Sequence, residues 1–221
     1  MENKALVEVE IIVGFDSKAL AIKEQLAGGN KHLDFVSIVG MPGLGKTILD
    51  KKLYNDPYII HHFHIHAWTY VSQVPKKREM LLDILHFNVL TDEDKNMSNE
   101  MLGEMLYKKL KGKRYLIVID DIWDIGVWVD LKMYLPNEKN GSRIMFTSRP
   151  MHASPDSHTH CLRFLTEEES WELFQRKVFP DESCPPKLIE TGKQIMNKCQ
   201  GLPLAIIVIA GLLAKNKKTE E

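Results

Sequence analysis

The segment Gly40-Met41-Pro42-Gly43-Leu44-Gly45-Lys46-Thr47 constrains this chain more than any other. It fits the pattern G-x-x-x-x-G-K-[S/T], which carries weight only between a strand and a helix. Phe35 to Val39 before it is a short apolar run of strand type, and Lys46 to Tyr54 after it suits a helix. Glycines in such a turn let successive backbone N–H groups point inward, and the helix adds the positive end of its dipole. Gly43, Leu44 and Gly45 therefore predict a cradle for the phosphates of a nucleoside di- or triphosphate. Lys46 is expected to reach the β- and γ-phosphates, and the Thr47 hydroxyl to ligate Mg2+.

The remaining pattern extends this unit into an α/β layout. Tyr115 to Ile119 is a continuous apolar strand ending at Asp120-Asp121, and Arg143 to Thr147 is another. His62 to Val71 alternates, with Phe63, Ile65 and Ala67 on one face and His62, His64 and His66 on the other. Asp16 is expected to cap a helix to Ala27, stopped by Gly28-Gly29-Asn30, with Leu20, Lys23 and Ala27 on one face and Ala19, Ile22 and Leu26 on another. Lys76 to Leu90 and Met101 to Leu110 read as amphipathic helices, and the acidic stretch Thr91 to Glu100 as a mobile loop. Strands alternating with helices imply a P-loop fold: a mostly parallel sheet flanked by helices on both faces.

From Leu165 onward only helices are expected. Thr166 to Glu169 form a capping box for a helix carrying Trp171, Phe174 and Val178. Pro186 opens a second helix, with Leu188, Ile195 and Cys199 toward the core, and Gly201 ends it. Pro203 opens a third. Its apolar run, Leu202 to Ala214, is shorter than the ~20 residues a bilayer demands and reads as a buried helix. The expected division is a nucleotide-binding domain at 11–164 and a small all-α subdomain at 165–221.

Mg2+ held between phosphates calls for a carboxylate, and Asp120 at a strand end supplies it, with Asp121 placed as general base toward an attacking water. Arg149, at the end of the strand from Arg143, is a candidate γ-phosphate sensor through its forked guanidinium. The bland alternatives are a solvated Asp-Asp turn and a surface arginine. His62, His64 and His66 make a poor metal site, because residues two apart on a strand do not converge on one ion. A net charge of −1 gives no electrostatic reason to expect nucleic acid or an anionic membrane as partner. Three widely spaced cysteines and an opening Met1 to Glu10 without an apolar signal core favour a reducing, cytoplasmic setting.

With these motifs in order, Val13 to Ala214 resembles the NB-ARC module of plant intracellular immune receptors of the nucleotide-binding leucine-rich-repeat class. Val13-Gly14-Phe15-Asp16 resembles that family's entry motif, whose backbone touches adenine; Met41 to Thr47 its phosphate loop; Phe63 to Gln73 the strand after it. Leu116 to Trp123 resembles the Mg2+ motif, and Trp123 suits the branch with an N-terminal coiled coil. Gly141 to Arg149 looks like the sensor, Leu165 to Phe179 the following helix, and Gly201-Leu202-Pro203-Leu204 the proline motif that closes over the nucleotide. Gly40 to Thr47 and His62 to Gln73 look most like nightshade-family helper receptors of the "required for cell death" group.

The resemblance implies a switch, silent with ADP and active with ATP, that drives homo-oligomerisation into a hypersensitive cell-death complex. It implies partners too: coiled-coil, winged-helix and leucine-rich-repeat domains of the same receptor, and sensor receptors or pathogen effectors. The sequence stops before the winged-helix subdomain with its Met-His-Asp motif, for which Met151-His152-Ala153 is no substitute, and reads as a fragment. Ile48, Leu49 and Asp50 stand where the family carries threonine, leucine and alanine. Ile48 keeps its backbone N–H for the α-phosphate but loses a hydroxyl, so at most slow ATP hydrolysis is expected. The alternatives are an ordinary P-loop enzyme, for which the helical half carries no polar cluster, and a degenerate interaction module holding ADP as a structural ligand.

Overall fold

The structure, a computed structural model, describes residues 13–71, 76–122, 131–149, 158–180 and 182–217. Trp123, Met151-His152-Ala153, the opening Met1 to Glu10 and the end of the Phe63 to Gln73 motif lie outside the described residues. Five strands, β1 (Asp34–Val39), β2 (Ile65–Tyr70), β3 (Tyr115–Ile122), β4 (Arg143–Ser148) and β5 (His158–Cys161), form one parallel sheet in the order β2-β3-β4-β1-β5.

Helices cover both faces, as a parallel sheet requires. α1 (Asp16–Ala27), α2 (Lys46–Tyr54) and α3 (Pro57–His62) supply Ile22, Leu26, Leu49, Leu53 and Ile59 against Val36, Ile38, Val118 and Met145. On the other face, α4 (Lys77–Leu85) and α6 (Asn99–Leu110) bury Leu81, Ile84, Leu102 and Leu106 with Ile117, Ile119 and Phe146. A short α5 (Asp92–Asn96) lies between them in sequence. A third core belongs to α7 (Glu167–Val178), α8 (Pro186–Lys198) and α9 (Pro203–Lys217), where Leu173, Phe174, Met196, Ile206 and Ala210 pack with Val13 and Leu165. Thr166 accepts from the Glu169 N–H while the Glu169 carboxylate accepts from that of Thr166, the capping box read from sequence.

Several local expectations are corrected. Phe15, not Asp16, occupies the N-cap of α1, and no side chain caps that end; Asp16 instead accepts from Lys52 at 2.7 Å. The two faces of α1 divide as expected, with Ala19, Ile22 and Leu26 buried and Leu20 exposed. His62 ends α3 instead of starting a strand, because Asp56 caps Tyr58 and Ile59 and Pro57 is preset for the first helical position. The three histidines therefore share no strand face: His62 packs on Arg114, whose backbone N–H donates to His64. Thr91 to Glu100 is ordered by a Thr91–Asp94 capping box in α5 and by Ser98 capping α6. α4 stops at Leu85, short of Leu90. In α8, Met196 is buried and Leu188 is exposed.

α9 is not wholly buried either. Ile206 and Ala210 face α7, while Leu204, Val208 and Leu212, four residues apart, form an exposed apolar stripe. β5 escaped the sequence reading because His158-Thr159-His160-Cys161 is polar, as suits a short edge strand.

Candidate functional site

β1 delivers the glycine loop to the carboxyl end of the sheet, where Gly40 N–H donates to Ser148 O at 3.4 Å. Gly43 and Gly45 take φ of +83° and +92°, the left-handed region that costs other residues most. α2 then starts at Lys46 with no side chain capping its N-terminus, so its first N–H groups await another partner. Beyond the loop opens a cavity of about 480 Å³. Its lining draws on three places: Pro42, Gly43 and Gly45 to Ile48; the strand ends Tyr70, Asp120, Asp121, Thr147 and Arg149; and Pro203, Leu204 and Ile207 of α9.

A single hydroxyl ties the strand ends together. Asp120 is only 2% exposed; its Oδ1 accepts from Thr47 Oγ1 at 3.1 Å and from Thr147 Oγ1 at 2.5 Å. Thr147 in turn accepts the Asp121 N–H at 2.7 Å. β4 stands between β1 and β3, so Thr147 bridges the lysine loop and the acidic strand end. Asp121 takes a φ of +60° where the β3–β4 register shifts. The Lys46 ammonium donates to Gly40 O at 2.9 Å and Met41 O at 3.2 Å, spanning the loop mouth. Burial lowers its pKa, with Asp121 and Asp120 opposing the shift.

These groups fit a Mg2+-nucleotide. The cation is hard and prefers oxygen, and a hydroxyl and a carboxylate already meet at 3.1 Å. Two left-handed glycines beside an uncapped helix start offer N–H donors to an anion.

The sequence-predicted residues divide into two groups. Gly43, Gly45, Lys46, Thr47, Ile48, Asp120, Asp121, Arg149, Pro203 and Leu204 meet in the cavity. Leu44 turns its side chain into the core, and its N–H donates to Met41 O at 3.4 Å. Val13, Gly14 and Phe15 lie outside the lining. Phe15 backs the loop, 3.2 Å from where a Cβ on Gly45 would stand, and a Cβ on Gly14 (φ +79°) would stand 2.8 Å from Leu165 and 2.9 Å from Glu169. Glu169 is itself held by Arg163 through bonds of 2.6 and 2.7 Å, which keep its carboxyl below the usual range. Sequence reasoning missed Tyr70, Thr147 and Ile207 as lining residues. Thr147 had a signal, the first hydroxyl after the apolar run Ile144-Met145-Phe146.

Gly43 also touches the helical unit: its carbonyl accepts the Leu204 N–H at 3.2 Å, and a Cβ there would stand 3.0 Å from Leu204 Cβ. Gly43→Ala is therefore expected to cost about 1–2 kcal/mol from backbone strain alone and to part Leu204 from the loop. Thermal unfolding without nucleotide measures it; an unchanged midpoint would mean that the loop relaxes freely.

The model of the NB-ARC domain matches residues 15–184. Disease resistance protein RPP13 of Arabidopsis thaliana is 39% identical over 228 residues, covering 98% of this chain and 27% of that protein. The putative late blight resistance protein homolog R1B-16 of Solanum demissum is 41% identical over 217 residues, covering 96% and 17%. The chain thus spans about a quarter or less of these two relatives. In fold it is similar to the Aeropyrum pernix ORC2 protein in its ADP form (TM-score 0.64, 15% identity, 93% of this chain and 63% of that one). It is also similar to a signal transduction ATPase with numerous domains from Pyrococcus horikoshii (TM-score 0.55, 19% identity, 90% and 29%). A phosphate loop, an acidic strand end and a helical unit in contact with that loop, together with a family match across most of its length, place this chain in the NB-ARC family.

Proposed function

We propose that this chain is the nucleotide-operated switch module of a plant intracellular immune receptor, holding ADP when silent and ATP when active. The observation that carries this reading is the contact of Leu204 N–H with Gly43 O, beside Pro203, Leu204 and Ile207 in the cavity lining. A change at the phosphates is thereby felt directly by α9. A ligand shifts a conformational equilibrium only by its differential affinity for the two states, and Arg149 and Pro203 are the contacts expected to differ between ADP and ATP. Lys46 and the amides of residues 43–48 hold the phosphates, Thr47 and Asp120 the Mg2+, and Asp121 orients water for slow hydrolysis. Mg2+ supplies charge neutralisation between the phosphates when bound.

Oligomerisation on activation, cell death and a cytoplasmic setting are parts of the same proposal. Among the described residues no helix is long and apolar enough to cross a membrane. The helper group of the nightshade family is a finer proposal, resting on Gly40 to Thr47 and His62 to Gln73. The competing reading, a degenerate module with ADP as structural ligand, is favoured by Ile48 in place of a threonine.

Denaturing the purified chain and identifying the released nucleotide by chromatography tests the main reading, with ADP the expected result. A chain that carries no nucleotide and binds none on titration would overturn it. Measurable ATP turnover would remove the structural-ligand alternative. For the metal, Asp120→Asn is expected to weaken Mg2+-dependent ATP binding about 10-fold or more and metal-free ADP binding far less. Equal losses would mean that Asp120 serves the fold.

A further inference from the structure

α2 carries an acidic residue to which the reading above gives no role. Asp50 follows Lys46 by four positions and Thr47 by three, spacings that put all three on one side of the helix. α2 packs on β3 and β4, whose Asp120 and Thr147 hold the polar end of that face. The Asp50 side chain is 0% exposed, yet neither carboxyl oxygen has a hydrogen-bond partner. Asp120 next to it is satisfied twice over. A fully buried polar group with no partner is rare in a folded protein and points to a ligand or water.

Its electrostatic setting points the same way. Burial pushes the Asp50 carboxyl well above the usual carboxylate range, the charge of Asp120 pushes it further, and the Lys46 ammonium opposes both. The three groups are near enough for their charges to act on one another. A divalent cation beside Thr47 and Asp120 would reverse that balance, because it attracts both carboxylates.

We propose that Asp50 is a further oxygen group of the divalent-cation site, holding through a water the Mg2+ bound by Thr47 and Asp120. This rests on the Mg2+-nucleotide reading above. The link runs through water because Asp50 lies behind the cavity wall and is not among the residues that line it, whereas Thr47 and Asp120 are. Mg2+ keeps several of its waters in protein sites, and groups that orient such waters tune affinity. Asp50 is thus a positioning residue: it touches neither phosphate nor ion.

The test titrates Mg2+ into the ADP-loaded chain at fixed pH, for the unmodified protein, Asp50→Ala, Asp50→Asn and, as comparator, Asp120→Asn. Both Asp50 variants are expected to raise the Mg2+ Kd about 10-fold while ADP affinity in EDTA stays within about 2-fold. Thermal midpoints in EDTA report the purely structural contribution, which removal of a buried unpartnered acid is expected to improve in Asp50→Ala. A midpoint that moves with no change in Mg2+ Kd overturns the inference. An unchanged Kd in the Asp50 variants beside a weakened Asp120→Asn sinks Asp50 alone and leaves the Mg2+ reading standing. No change in any of the three removes the Mg2+ reading and this inference with it, and weakening confined to the Asp50 variants supports Asp50 and displaces Asp120.

Discussion

Lys46→Ala is expected to weaken ADP and ATP binding at least about 100-fold, a loss of roughly 2.7 kcal/mol. Two effects add. The ammonium is the cation of the loop, and a charge-assisted contact to phosphate is about twice as strong as a neutral one. It also spans the loop mouth from Gly40 O to Met41 O, so its removal loosens the cradle before any ligand arrives. Isothermal calorimetry with each nucleotide measures the first effect. The second appears as a modest fall in the thermal midpoint without nucleotide, because the side chain is only partly buried. Unchanged affinity would sink the assignment of the loop, whatever the stability showed.

Arg143→Ala is expected to destabilise the fold by about 3–5 kcal/mol. Arg143 is 1% exposed, and its guanidinium donates to Gly28 O at 2.5 Å, Asn30 O and Ser142 O at 2.9 Å, His32 O at 3.1 Å and Gln25 O at 3.5 Å. It thereby satisfies the carbonyls at the end of α1, where the helix dipole favours a cation, and pins the turn that leads into β1. Truncation leaves the buried Ser142 carbonyl and several part-buried ones without this donor and opens a void. At about 2–4 °C per kcal/mol for a chain of this size, the midpoint falls by about 6–20 °C. Arg143→Lys keeps the charge but offers three donors from a single point, so about half the loss is expected. Because Arg143 begins β4 and Arg149 follows its end, the nucleotide Kd of folded variant should stay unchanged. A loss under about 1 kcal/mol would show that water replaces the guanidinium.

Arg143 also shows where sequence reading runs out. Within Gly141 to Arg149 the sequence singled out Arg149, which lines the cavity, but gave no role to Arg143, which is a buried clamp. The clamp depends on contacts to residues 25–32, more than one hundred positions away. What could be read locally was read: a glycine pattern and a carboxylate at the end of a four-residue apolar run are short-range signals. The histidine face failed because Asp56 and Pro57 start a helix just upstream, and a capping signal outranks alternation over so few residues. The apolar face of α9 was taken as buried because hydropathy reports what a helix could cover, not whether a neighbour is there. Asp50 stood out only as a departure from the family's alanine and gave no sign of burial, since a lone acid in a helix next to two lysines reads as solvated surface.

The strand order carries a consequence for how the protein is made. β1 is bracketed by β4 and β5, and Asp34 pairs with Arg143, roughly 110 positions later. At about 5–20 residues per second on the ribosome, β1 waits on the order of 5–20 s for its first partner. Throughout that interval the nascent chain displays Phe35-Val36-Ser37-Ile38-Val39 with both edges unpaired, a segment that invites aggregation or a chaperone. The strand that carries the phosphate loop is thus the first of the five described strands to be made and the last to be enclosed, so the loop cannot take its final shape until residue 148 or beyond has emerged.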